Sequence, residues 1–196
     1  MYRLIESICV REGNFQRLPL HEARINRTLA ALQLEGRWVL NEALAKVHLP
    51  PSGLFKCRVV YTADDAKVEL QPYTIRPITS LKRVDANDLV YQHKWEDRDR
   101  LHALWQQRGL CDDVLIIKNG MVTDTFYANI VFRKGEEWFT PDTFLLPGTM
   151  REALLTAGII RETKIRAGDL HQFDSFKLIN ALMEWNATES HVSNIH

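Results

Sequence analysis

Four features of this chain have a residue type and a setting that could do chemistry. Lys94 stands in Tyr91-Gln92-His93-Lys94-Trp95, and a lysine becomes a nucleophile when burial or a neighbouring cation lowers its pKa. Asp124 follows a hairpin in Gly120-Met121-Val122-Thr123-Asp124 and precedes Tyr127-Ala128-Asn129, where a turn carboxylate is the simpler reading. In Leu146-Pro147-Gly148-Thr149-Met150-Arg151-Glu152, Thr149 and Glu152 have the spacing of a capping box, with Thr149 as the N-cap. A helix start behind a glycine leaves amide groups at the positive end of a helix dipole, and phosphate binds in such places. Arg24, on an earlier helical stretch, could give that phosphate a two-pronged cation.

The elements that must position these groups follow from periodicity. Residues 3–10 and Phe15–Leu18 flank Glu12-Gly13-Asn14 as a hairpin, and apolar positions Leu20, Ile25, Leu29 and Leu32 predict a helix that Gly36 ends. A second helix is expected over 39–48. Alternation at Phe55, Cys57, Val59 and Tyr61, then at Val68 and Leu70 beyond Asp64-Asp65, predicts a second hairpin. Residues 78–92 read as neither helix nor strand. Beyond them come a helix over Asp97–Arg108 closed by Gly109 in the left-handed conformation, a buried strand at Val114–Ile117, and the Asn119-Gly120 hairpin turn. Asn129–Phe132, Trp138–Thr140 and Phe176–Ile179 are further strands, and a helix begins near Thr149. The fold class is therefore α+β, with two strand-rich lobes: a small one over 1–80 and a larger one over 81–196 that carries Lys94.

Composition excludes several classes of function. The 196 residues are 45% hydrophobic and 26% charged, ordinary globular usage, and 25 Lys plus Arg balance 25 Asp plus Glu. No overall field draws the chain to nucleic acid or anionic lipid. Glu6 arrives too early for a signal-peptide core and no long apolar run exists, so a cytoplasmic, membrane-free protein is expected. Cys9, Cys57 and Cys111 are too scattered for a disulfide frame or a thiolate metal site. His21-Glu22 is followed by Ile25 where a zinc helix needs a second histidine, so no metal is expected. No phosphate-binding glycine loop or serine-hydrolase elbow occurs, the glycosylation patterns at Asn26 and Asn186 mean nothing without export, and His191 and His196 read as a solvated tail.

Taken in order, Asp112-Asp113-Val114-Leu115-Ile116-Ile117, Asn119-Gly120-Met121-Val122-Thr123-Asp124, Ala128-Asn129-Ile130-Val131-Phe132, Thr140-Pro141 and Gly148-Thr149-Met150-Arg151 resemble the class IV (fold-type IV) aminotransferases that use pyridoxal 5'-phosphate. That family includes branched-chain and D-amino-acid aminotransferases and 4-amino-4-deoxychorismate lyase. The resemblance runs from about residue 4 to about residue 185 and is densest from Lys94 to Glu152. It implies a D-amino-acid aminotransferase-like fold, shortened at both ends, and a homodimer acting on a small amino substrate. It also implies that Lys94 carries the cofactor and shuttles a proton, that Asp124 faces the pyridine nitrogen, and that Arg24, Gly148, Thr149 and Met150 hold the phosphate. Asp124 stands where the family commonly has Glu, a side chain shorter by one bond of roughly 1.5 Å, and Met150 where it often has Thr.

Within the family, Gly148-Thr149-Met150-Arg151 together with Ile179-Asn180-Ala181-Leu182-Met183 looks closer to the aminodeoxychorismate lyase branch, with Asn180 and Ala181 as further cofactor-binding positions. The implied activity is the release of pyruvate from 4-amino-4-deoxychorismate to give 4-aminobenzoate for folate biosynthesis. A small-substrate aminotransferase is the alternative, and a binding protein without chemistry is the third.

Overall fold

The computed structural model describes residues 2–35, 38–183 and 185–196, and divides into two compact units: Met1–Ile75 with His93–Asp97, and Arg76–Gln92 with Arg98–His196. The predicted stop at Gly36 lies outside the described residues.

The first unit is an antiparallel sheet with helices on one face. Its strands β1 (Leu4–Arg11), β2 (Asn14–Phe15), β3 (Leu54–Tyr61) and β4 (Ala66–Pro72) run in the order β2-β1-β3-β4. Glu12 and Gly13 both take positive φ, 46° and 72°, as the tight turn between β1 and β2 requires. Alternation puts Leu4, Glu6, Ile8 and Val10 on one face of β1, opposite Tyr61, Val59, Cys57 and Phe55 of β3. The apolar members of this set form a core with Ile25 and Leu29 of α1 (Leu18–Ala31) and Leu40 and Leu44 of α2 (Leu40–Leu44). Glu6 is the charged residue on that buried face of β1, at 0% exposure.

Residues 94–96 belong to this unit because they pair with the start of β1. The Ile5 amide donates to the Lys94 carbonyl (2.8 Å), the Glu96 amide donates to the Arg3 carbonyl (3.0 Å), and Trp95 packs against the core. Lys94 is thus carried by the first unit, whereas the sequence assigns it to residues 81–196.

The second unit has a three-stranded sheet, β5 (Leu81–Asp85), β6 (Asp113–Lys118) and β7 (Met121–Thr125), and a five-stranded sheet in the order β10-β9-β8-β11-β12. The latter comprises β8 (Asn129–Lys134), β9 (Glu137–Pro141), β10 (Arg161–Thr163), β11 (Ser175–Ile179) and β12 (Glu189–His191), with α3 (Asp99–Trp105) and α4 (Thr149–Thr156) completing the unit. Leu81, Leu115, Ile117 and Val122 share one core with Ile130, Phe132, Phe176 and Leu178, so the two sheets of this unit are joined by apolar side chains. Asn119 and Gly120, at φ 52° and 75°, make the predicted hairpin turn. Gly109 ends the α3 region with φ 61° but ψ −123°, a positive-φ stop outside the left-handed helical well. The C-terminal residues are no loose tail: the His196 amide donates to Leu81 (2.8 Å) and its carbonyl accepts from Arg83 (2.7 Å). None of the three cysteines is in a disulfide, and no helix among the described residues is long and apolar enough to cross a membrane.

Candidate active site

In the first unit the candidate groups gather around Glu6. Arg24 and His21 sit three residues apart on α1, hence on one face of it, and that face meets Glu6. Arg24 donates from Nε to Glu6 Oε1 (2.8 Å) and from a terminal nitrogen to Oε2 (2.5 Å), a two-pronged, charge-assisted pair. His21 Nδ1 lies 2.7 Å from Oε2. Burial opposes the charge on Glu6, but the Arg24 charge and the hydrogen bonds from His21 and Arg24 outweigh it and hold the carboxyl well below the usual range. Burial pushes the His21 pKa down against the pull of Glu6, so the ring is neutral at pH 7 and its Nδ1 proton is the one donated. Lys94 reaches this neighbourhood through the backbone: its carbonyl is tied to Ile5, the residue before Glu6, and its side chain is half-buried.

In the second unit the candidate groups form around Asp124. The β7 strand buries Asp124, and three neutral donors fix it: Asn129 Nδ2 to Oδ1 (2.7 Å), and the Leu145 and Leu146 amides to Oδ2 (2.9 and 3.0 Å). The same Asn129 nitrogen donates to the Leu146 carbonyl (2.9 Å). Burial pushes the Asp124 carboxyl up from 3.8 to about 6, because neutral donors and the Arg151 charge offset only part of the lost hydration. Arg151 is itself occupied: it donates to the Pro141 carbonyl (3.0 Å) and to Glu162, with its guanidinium 4.3 Å from the centre of the Phe144 ring.

The 145–148 segment that holds Asp124 leads directly into α4. The N-cap of that helix is Gly148, at φ −70° and ψ 141°, and Thr149 is the first helical residue. The sequence expectation of Thr149 as N-cap is therefore displaced by one position. A glycine cap leaves the first amides without a side-chain acceptor from the cap itself, and the Glu152 amide closes the first turn on the Gly148 carbonyl (2.9 Å). Thr149 and Met150 are buried at this helix start. Asn180 and Ala181 follow β11, whose last residue Ile179 pairs with Asn129, and Asn180 Oδ1 accepts from the Leu182 and Met183 amides (2.8 and 3.2 Å) to close its own turn.

The singled-out residues divide between the units: Arg24 and Lys94 lie on the first, where Lys94 is linked to the Glu6 neighbourhood through the backbone, and Asp124, Gly148, Thr149, Met150, Asn180 and Ala181 lie on the second, where Asn129 ties Asp124 to the Gly148 cap. Sequence reasoning passed over Glu6, Asn129 and Arg151 as parts of the site. For Glu6 the signal was present, a lone carboxylate on the apolar face of an alternating strand. Among the described residues no three His, Cys, Asp or Glu side chains gather as a metal site.

Comparison with known proteins agrees with this frame. The Amino-transferase class IV family model matches residues 3–189. An uncharacterized protein of Haemophilus influenzae is 37% identical over 185 residues, spanning 93% of this chain and 98% of the relative. A crystal structure from Haemophilus somnus 129PT, of a candidate 4-amino-4-deoxychorismate lyase, is 31% identical with a TM-score of 0.88, covering 93% of this chain and 97% of that one. A Mycobacterium tuberculosis hypothetical aminotransferase solved in a pyridoxal-phosphate-bound form shares the fold, with a TM-score of 0.77 at 16% identity over 97% of this chain and 80% of its own. The family and fold are those of enzymes that work with pyridoxal 5'-phosphate. This chain belongs to the aminotransferase class IV family.

Proposed function

We propose that the chain is a 4-amino-4-deoxychorismate lyase, releasing pyruvate from that substrate and leaving 4-aminobenzoate. The observation that carries the lyase reading is the likeness to the Haemophilus somnus protein, at 31% identity over nearly the whole of both chains. The residues present fit the cofactor. Asp124 is a buried carboxylate with neutral donors on both oxygens, and it gains most from a ligand that brings it a cation. The start of α4 offers backbone amides to an anion behind a residue without a side chain.

Bound pyridoxal 5'-phosphate supplies an electrophilic aldehyde and a ring that accepts electrons from a breaking bond at the substrate. The protein's part is to hold and to move protons. Lys94 Nζ would be the amine that holds the cofactor, and it would serve as the base and acid at the substrate. Asp124 would hold the ring nitrogen, and as a carboxylate it would favour the protonated form of that nitrogen. Arg24, Gly148, Thr149 and Met150 bind the phosphate, and Glu6 holds the Arg24 guanidinium in place for it. Asn180 and Ala181 border the same cofactor. Because the product ring is aromatic, positioning and proton transfer are the main demands on the chain. The reading carries with it a homodimer in the cytoplasm supplying 4-aminobenzoate to folate biosynthesis.

Incubation with pyridoxal 5'-phosphate followed by borohydride and peptide mapping is expected to place the cofactor on Lys94 in the wild type and nowhere in Lys94→Ala. Pyruvate release from 4-amino-4-deoxychorismate is expected from the wild type alone. Cofactor on Lys94 with amino-group transfer from an amino acid, and no pyruvate, would give the aminotransferase instead. No cofactor on Lys94 would sink both.

A further inference from the structure

The strictest steric demand in the second unit falls at Gly148, and it is set by a side chain. At φ −70° and ψ 141° the backbone there suits any L-residue. A Cβ at Gly148 would nevertheless stand 2.0 Å from Asn129 Oδ1 and 3.2 Å from its Cγ. The Asn129 amide therefore lies directly against the cap of α4. Both of its hydrogens are also committed, one to the Asp124 carboxylate and one to the Leu146 carbonyl, at 2.7 and 2.9 Å. Asp124 in turn holds the Leu145 and Leu146 amides. The buried Asn129 side chain thus joins the Asp124 carboxylate to the 145–148 segment and to the cap of α4.

We propose that Asn129 is a positioning residue that fixes the spacing between the Asp124 carboxylate and the N-terminus of α4, and so matches the two ends of the chain's cofactor grip to each other. The inference rests on the pyridoxal-phosphate reading, in which the carboxylate serves the ring nitrogen and the helix start serves the phosphate. Asn129 acts through Asp124 and the 145–148 segment. It makes the binding of one end count toward the binding of the other, since two anchors held at the right separation act together and two loosely joined anchors do not.

The test compares two probes, pyridoxal 5'-phosphate and its phosphate-free analogue 5-deoxypyridoxal, by the dissociation constant of each. The wild type, Asn129→Ser, Gly148→Ala and the double variant are titrated, with apoprotein melting measured alongside. In the wild type the phosphate improves affinity by a large ratio. Loss of the hydrogen bond to the charged carboxylate is expected to cut that ratio about tenfold or more in Asn129→Ser. Gly148→Ala keeps every hydrogen-bonding group but pushes the amide away, and is expected to cut the ratio similarly. The double variant is expected to be no worse than Asn129→Ser, because the serine leaves room for the new methyl.

A residue that merely fills local space would lower the melting temperature while both probes weaken in proportion. An unchanged ratio in a folded variant, or strictly additive losses in the double variant, overturns the inference. If Asn129→Ser does not fold, Asn129→Ala is titrated in its place and read in the same way. A wild type that binds neither probe overturns the function reading and this inference together, and it does so before any variant is compared.

Discussion

Two carboxylates, one in each unit, are buried to nearly the same degree and respond in opposite ways. Glu6 has a cation of its own: Arg24 grips both of its oxygens, and the carboxyl stays ionised far below the usual range. Asp124 has hydrogen bonds in comparable number, all from neutral donors, and its carboxyl is pushed up to about 6. Hydrogen bonds satisfy lone pairs, but they do not replace a counter-charge where water has been excluded. Glu6 is a completed ion pair whose effect is to orient Arg24. Asp124 has no ion-pair partner on its oxygens among the described residues, which is why the proposed function assigns it a positively charged ligand.

The largest effect expected from breaking this comparison is at Glu6. Glu6→Gln removes the charge and leaves Arg24 buried without one, which should lower the unfolding free energy in urea by about 3–5 kcal/mol. A loss under ~1 kcal/mol would mean that Arg24 finds another partner easily. Next comes pH. The Asp124 pKa is raised on folding, from 3.8 to about 6, so its contribution is fully present below the lower value and is lost as pH rises through the upper one. The apoprotein should lose about 3 kcal/mol between roughly pH 4 and pH 6 through this group. Asp113, also pushed by burial to about 6, adds a loss in the same window. The Glu6 pKa is lowered, so its contribution is present above 4.5 and is lost as pH falls toward the folded value. Melting curves against pH should therefore show a falling limb that Asp124→Asn shrinks and a rising limb at lower pH that Glu6→Gln removes. Saturating pyridoxal 5'-phosphate should flatten the Asp124 share of the falling limb, and no change in that limb would count against a cationic ligand at this carboxylate.

The smallest effect isolates burial from pairing. Glu96, two residues beyond Lys94, is bridged to Arg3 (2.7 Å) and Arg58 (3.1 Å), but Arg3 is 61% exposed. Glu96→Gln should cost no more than ~1 kcal/mol in the same urea experiment. A cost equal to that of Glu6→Gln would show that pairing alone, without burial, accounts for the difference.

Much of the fold is legible because it depends on local signals. Asn119-Gly120 requires two positive φ values and names its own hairpin, and the alternation through Phe55–Tyr61 marks a strand with one buried face. Strand β5 was illegible for a physical reason. In Leu81–Asp85 the buried residues are Leu81 and Val84, a three-residue spacing that breaks the alternation of a strand and suits one face of a helix, and what makes the segment a strand is parallel pairing with β6, more than twenty residues further on. The site divides likewise. Lys94, Asp124 and Arg24 stand out by residue type and by likeness to a family, whereas Asn129 reads as one more strand residue. Its role comes from a turn some twenty positions later, and no local pattern carries that.

The first unit is not a continuous stretch of chain, because residues 93–97 rejoin it after residues 76–92 have gone to the second. A nascent polypeptide that has emerged only as far as Ile75 has its hairpins and α1, yet the Ile5 amide lacks its Lys94 acceptor and Trp95 is absent from beside Leu4. Completion of the N-terminal unit must wait for part of the next to be synthesised, which raises its contact order and couples the order of folding to the order of translation. The segment that arrives last to finish that unit is the one that carries Lys94, so this lysine is set in place only when the strand it pairs with is already part of a sheet.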